Sequence, residues 1–192
     1  MAEPSTVARR CRIGTVFGGM AASLDGFIQS TSGDLSWLND AMAPDEDYGF
    51  TETEQRTGAY IVGANTYREM RGMSFGKVPT YVVTHEPASA PETKAHTFSG
   101  DLRQLVAQIK TDTDKDICVF GGGDLVTQFL ELDLLDELGV SVIPVLLGDG
   151  VPFFGRLSDR HKLELLTCEQ FPSGIVLLNY RVTASTPRKR RS

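Results

Sequence analysis

The sequence predicts an α/β fold built on a mostly parallel central sheet that closes in a C-terminal antiparallel hairpin. Three observations carry this. Apolar runs rich in β-branched residues alternate with helix-like segments as far as Phe120, and strand-helix-strand crossovers place successive strands parallel. The runs Ala59–Gly63, Thr80–Thr84 and Asp116–Phe120 are short and almost continuously apolar, as in strands covered on both faces. Beyond Gly139 the pattern changes: Lys162–Phe171 and Ile175–Val182 flank Pro172-Ser173-Gly174, a turn signal between two extended runs.

Taken in order, Arg12–Ala22 is the first expected strand and Asp45–Thr57 the first helix. The strand Ala59–Gly63 leads to a helix over Asn65–Met73, and Thr80–Thr84 to a helix over Asp101–Thr111. That last helix places Leu102, Leu105, Val106 and Ile109 on one face behind Asp101 as N-cap. The strand Asp116–Phe120 runs through three glycines into an amphipathic helix, and Val140–Leu147 is the strand before the hairpin. Neither an internal repeat nor an interdomain linker interrupts this, so residues 12–183 read as one domain. Residues 1–11 and the basic tail 184–192 are polar and aperiodic, and both are expected to be loose.

Composition narrows the function. The 192 residues carry 19 Lys+Arg against 25 Asp+Glu, and four of the bases form Arg188-Lys189-Arg190-Arg191. The remainder holds 15 bases against 25 acids, a balance that disfavours nucleic acid and anionic membrane as partners. No stretch approaches the roughly 20 apolar residues of a membrane span, and Met1–Arg12 lacks the apolar core of a signal peptide, so a cytoplasmic location is expected. Cys11, Cys118 and Cys168 form no CxxC pair and are expected to be reduced, two of them buried. His85, His96 and His161 are scattered, so no metal site is expected.

Three segments could carry chemistry. In Ile117–Leu130 a buried strand meets Gly121, Gly122 and Gly123 and then a helix. Glycines there permit positive φ and close approach of a phosphate, and the helix N-terminus offers unpaired N–H groups; the same pattern also serves as a plain tight turn. Its spacing is neither GxGxxG nor GxxxxGK[ST]. In the second segment, Met20–Ile28 ends a strand at the Asp25-Gly26 turn, and the following loop sets Asp34 beside Trp37, the only tryptophan. A carboxyl packed against apolar groups is a candidate for a raised pKa and proton transfer, whereas an Asp capping a short helix from Leu35 is the plainer reading. The third, Tyr60–Glu69, again sets strand, Gly63 and helix start in sequence with Thr66 in the first turn, a second anion-facing terminus at the sheet edge where α/β ligands bind.

Six motifs in order, SLDGFI, GDLSWL, VGANTY, TYVVTHEP, VFGGGDLVTQFL and VIPVLLGDGVPFF, give the chain a resemblance to the dihydrofolate-reductase-like superfamily. Within it, the chain most resembles the reductase domain of the bifunctional riboflavin-biosynthesis deaminase/reductase and its stand-alone relatives, over roughly Arg12 to Thr183. The resemblance implies a three-layer α/β/α fold, a homodimer, and hydride transfer from NADPH, with NADH as the alternative, to a pyrimidine- or pteridine-like heterocycle. It assigns Gly121, Gly122, Gly123, Asp124 and Leu125 to the cofactor loop and Gly63 and Thr66 to a second pyrophosphate contact. Thr84 and His85 would face the adenosine half, Ala21 and Ala22 the nicotinamide, and Ser23 to Gly26, with Asp25 as a substrate contact, the neighbouring turn. Asp34 falls on the substrate-binding acid of dihydrofolate reductases and is the expected catalytic residue, with Ser36 and Trp37 on the substrate side.

Two departures from the family pattern bear on specificity. Ala64 stands where dihydrofolate reductases carry an Arg near the cofactor 2′-phosphate, although Gly-Ala-x-Thr is frequent in the riboflavin enzymes. The Arg that holds the ribose phosphate in those enzymes has no counterpart, since Asn39–Gln55 contains six acids and no base. A deaminase half is absent, for the chain lacks HxE and PCxxC. The nearest named activity is 5-amino-6-(5-phosphoribosylamino)uracil reductase. A dihydrofolate or other pterin reductase and a non-catalytic nucleotide-binding module are the alternatives.

Overall fold

The computed structural model describes residues 14–70, 75–85 and 95–186. An eight-stranded sheet runs in the order β5-β4-β3-β6-β1-β7-β10-β9, comprising β1 (Val16–Ser23), β3 (Thr57–Gly63), β4 (Thr80–Val83), β5 (His96–Phe98), β6 (Asp116–Phe120), β7 (Glu137–Ile143), β9 (Arg160–Gln170) and β10 (Val176–Thr186). From β5 to β7 every pairing is parallel, while β10 is antiparallel to β7 and to β9. The fold is therefore the expected mixed α/β one, with its closing hairpin. A second sheet pairs β2 (Phe27–Ser30) with β8 (Gly150–Pro152) antiparallel. The helices are α1 (Ser36–Ala41), α2 (Phe50–Arg56), α3 (Ala64–Glu69), α4 (Leu102–Asp112) and α5 (Gly123–Glu131).

Alternation along the central strands divides the core. Ala59, Ile61, Ile117 and Val119 pack with the apolar faces of α4 and α5, including Leu105, Ile109, Val126 and Phe129. The next residues turn the other way: Val62 meets Ala64 and Tyr67 of α3, and Ala21 and Ile143 meet Trp37 and Leu38 of α1. Helices on both faces explain why β3 and β6 are apolar beyond their first residues, Thr57 and Asp116. Asp101 caps α4 by accepting from the Arg103 amide at 2.9 Å, as the spacing predicts.

Several boundaries differ. The helix expected over Asp45–Thr57 begins only at Phe50, because Tyr48 (φ +52°) and Gly49 (φ +79°) are left-handed, which a helix excludes. Tyr48 is held there by its buried ring against Phe171, 4.7 Å between centroids, and by its hydroxyl, which accepts from the Ala43 amide and donates to Ser173. Thr57 belongs to β3 instead. The strand expected over Val140–Leu147 runs from Glu137 to Ile143 and stops at Pro144. Strand β10 continues to Thr186, beyond the composition boundary at 183. Cys118 is buried, and burial pushes its thiol up to about 12; Cys168 is exposed on β9, while Cys11, the expected helix end at Met73 and the residues of the tail from 187 lie outside the described residues. No helix among the described residues is long and apolar enough to cross a membrane.

Candidate functional site

The parallel strands β1, β3, β4 and β6 deliver Ser23, Gly63, Thr84 and Gly121 to one edge of the sheet, the edge at which open α/β sheets bind ligands. Gly121 (φ +71°) and Gly122 (φ +80°) both take the left-handed conformation. Thr66, in the first turn of α3, packs directly on them. A Cβ added at Gly121 would stand 2.8 Å from Thr66 Cγ2, and one at Gly122 would stand 3.3 Å from Thr66 Oγ1. The two glycine-led helix starts singled out in the sequence are thus one cradle. Beside them Gly63 has nothing within 4 Å of an added Cβ among the described residues.

Helix α5 opens at Gly123 with Gly122 as its N-cap, and the first N–H groups of any helix lack intrahelical partners. Gly123 is fixed by packing, since a side chain there would come within 2.6 Å of the Phe153 carbonyl. Thr127 completes the joint: its hydroxyl donates to the Gly123 carbonyl at 2.7 Å and accepts from the Gly155 amide at 2.8 Å. Leu125 is buried in the core, so only its backbone faces the loop, and Asp124 is exposed in the first turn.

A second cluster lies after β1. Asp25 accepts from the Ser23 hydroxyl at 2.6 Å, from the Gly148 amide at 2.7 Å and from the Leu147 amide at 3.2 Å. The Ser23 bond, ahead of the two amides, holds the Asp25 carboxyl below its ordinary range. This carboxylate therefore clamps the β1–β2 turn onto the loop after β7. Further bonds from Leu24 N to Val145 O and from Phe153 N to Gly26 O join the same segments. Leu24 and Leu146 stand 66% and 69% exposed at this clamp, two apolar side chains held out toward solvent.

Asp34 is exposed rather than packed against apolar groups. It accepts from the Ser36 hydroxyl at 2.6 Å and the Ser36 amide at 3.0 Å, at the start of α1. The Ser36 hydroxyl is the main cause that lowers its pKa, which corrects the expectation of a raised one. Its own amide donates to Ser30 Oγ at 3.0 Å. Trp37 packs with the cluster around Ile143 and Phe171, and its buried indole N–H has no hydrogen-bond partner among the described residues.

Of the remaining expected site residues, Ala22 is buried one residue before the end of β1, Thr84 directly follows β4 with its amide bonded to the Phe98 carbonyl, and His85 is exposed just beyond. Sequence reasoning missed Met20, whose Sδ lies 3.6 Å from the Cβ position of Gly121. It also missed an aromatic wall beside the cradle, where Phe75 meets Tyr60, Tyr67 and Phe120 at 5.3, 5.9 and 5.5 Å. Only the immediate neighbours Phe120-Gly121 and Thr66-Tyr67 hinted at this wall.

Comparison with known proteins gives this geometry a context. Residues 15–177 match the model of the RibD C-terminal domain family. An uncharacterised Bacillus subtilis protein, YwjB, is 31% identical over 162 residues, covering 82% of this chain and 92% of its own. A crystal structure of a candidate riboflavin biosynthesis protein from Shewanella sp. PV-4 superposes with a TM-score of 0.80 at 25% identity, over 88% of this chain and 99% of that one. Dihydrofolate reductase from Enterococcus faecalis, solved with NADP(H), shares the fold at a TM-score of 0.61 and 17% identity, over 90% and 98% of the two chains.

Proposed function

The chain belongs to the RibD C-terminal domain family, and from that premise we propose that it is an NAD(P)H-dependent reductase of a pyrimidine- or pteridine-like heterocycle. The observation that carries the reading is the packing of Thr66 on the left-handed pair Gly121-Gly122 at the ligand-binding edge of the sheet. That cradle fits a pyrophosphate: its glycines present backbone without side chains, the α5 terminus presents N–H groups, and Thr66 adds a hydroxyl. Gly63 leaves room beside it. A bound nicotinamide cofactor would supply the hydride. Thr84 and His85 would meet its adenosine half, and Ala22 its nicotinamide half.

The chain's own residues would set up the substrate. Leu24 and Leu146 offer apolar cover for a flat ring, and the orphaned Trp37 N–H offers a donor, which is otherwise costly to bury. Asp34, ionised and exposed, would accept hydrogen bonds from ring amino groups. Because Asn39–Gln55 carries no base, the ring rather than a ribose phosphate is the recognised feature. Ala64 removes an arginine from the cofactor edge, so NADH would serve beside NADPH. Homodimerisation and a cytoplasmic location belong to the same proposal.

Two measurements test it. NADPH oxidation in the presence of a ribosylaminopyrimidine or a pterin should exceed the background seen without either compound. Gly122→Val places a branched side chain in the cradle at a φ of +80° and should weaken NADPH binding by tenfold or more, about 1.4 kcal/mol. Isothermal titration on a variant with a native circular dichroism spectrum reads this directly, and unchanged affinity would leave the glycines as a turn only.

A further inference from the structure

The edge of the sheet opposite the cradle holds a cavity. It has a volume of about 340 Å3 and is lined by Leu130, Leu138, Phe154, Leu157 and Leu163, with Asp159, Arg160 and His161. Leu138 is the second residue of β7, Leu130 lies in the last turn of α5 and Leu163 near the start of β9. These positions belong to strand starts and a helix end, whereas the cradle is built from strand ends and helix starts. The volume lies in the range of small-molecule sites, about 300–1,000 Å3.

His161 is the unusual member of the lining. Its side chain is only 6% exposed, and neither ring nitrogen has a hydrogen-bond partner among the described residues. Each nitrogen exposes less than 1 Å2, so bulk water does not satisfy it. The carboxylate oxygen Glu131 Oε1 stands 4.0 Å from Nε2, beyond hydrogen-bond distance. Glu131 is already committed, accepting from both the amide and the hydroxyl of Ser158. A buried imidazole with no hydrogen-bond partner among the described residues is an unfavourable arrangement, and a polar group entering through the cavity, with a small turn of the ring, would relieve it.

We propose that this cavity is a binding site for a small, uncharged ring compound bearing one hydroxyl or N–H group, with His161 as the residue that recognises that group. The apolar lining takes the ring. The lining sets the carboxylate of Asp159 beside the guanidinium of Arg160 and so favours neither an anion nor a cation. The imidazole both donates and accepts, which suits a hydroxyl that does the same.

The probe pair p-cresol and toluene tests this, since the two differ only by the hydroxyl. Titration of the full-length protein should give saturable binding of p-cresol at least tenfold tighter than that of toluene. The imidazole 15N resonances of His161 and the methyl resonances of Leu130, Leu138 and Leu163 should move with p-cresol, in the native chain and equally in Gly122→Val. In His161→Phe the preference for p-cresol should vanish without a fall in melting temperature, because an orphaned polar group is replaced by a ring of similar size. Equal affinities for the two probes, a preference that survives His161→Phe, shifts confined to the cradle, or a soaked crystal holding only water beside His161 would each overturn the proposal. If His161→Phe fails to fold, the affinity ratio and the 15N shifts of the native chain decide alone.

Discussion

Asp34 shows how a single carboxylate changes meaning once its neighbours are known. Beside the only tryptophan it reads as a candidate proton donor, yet it is exposed and bonded twice to Ser36. Hydrogen bonds to the charged form stabilise that form, so the carboxyl is anionic across the neutral range. Any stability this contributes is present above the unfolded-state pKa, about 3.9, and is lost only as pH falls through the lower folded value. Asp34→Asn keeps an acceptor for Ser36 but removes the charge offered to ring amino groups. Under the proposed function it should lower kcat/KM by roughly 10²-fold or more, leave NADPH affinity intact, and leave the pH profile above pH 5 unchanged in shape. Steady-state kinetics between pH 5 and 9, with NADPH titration of the same variant, check all three. Loss of an acidic limb near pH 6 would restore the role of proton donor.

At the scale of elements, legibility follows the range of the interactions that decide each one. Strands β3 and β6, covered on both faces, announce themselves by composition, and α4 by its apolar stripe and Asp101 cap. Strands β2, β5 and β8 have four, three and three residues, too few for a period, and they exist because a partner strand is delivered to them. The site divides the same way. The glycine loop and Thr66 are visible locally, whereas the Asp25 clamp joins amides 122 and 123 residues away and only the fold reveals it. Asp25→Ala tests whether the clamp orders this edge. The amides of Leu147 and Gly148 lose their acceptor and should exchange with solvent at least tenfold faster, while those of the buried strands β3 and β6 hold their rates. Hydrogen exchange followed by NMR reads the contrast, and uniform acceleration would mean the whole fold had loosened. Since the clamp is anionic and its pKa is lowered, it is intact at neutral pH and releases only below the ordinary Asp range.

For the molecule as a whole, the division between a fastening edge and a working edge has an energetic consequence. At the strand starts, Asp116 accepts from the Thr15 amide at 2.8 Å and from Arg56 Nε at 2.7 Å, and the same guanidinium reaches Glu137 at 2.8 Å and lies 4.1 Å from the Phe17 ring centroid. Asp136 adds a bond from the Val16 amide at 2.8 Å. These ties join β1, β6, β7 and the end of α2 at the edge remote from the cradle. The Asp116 side chain is 11% exposed while Arg56 and Glu137 are each 30% exposed, so the two ion pairs are screened differently. Asp116→Ala strands a backbone donor and part of a guanidinium, a loss of about 2–3 kcal/mol after allowance for the exposure of Arg56. For a chain of this size that corresponds to a melting temperature lower by about 4–12 °C. Glu137→Ala removes only the more exposed partner and should cost about 1 kcal/mol or less. Neither change touches the ligand-binding edge, so NADPH affinity measured well below the transition should match that of the native chain in both variants. Calorimetric melts paired with NADPH titration separate the edges. A loss of affinity in Asp116→Ala, in a variant still folded at the titration temperature, would show that the strand starts and the cradle are coupled through the sheet.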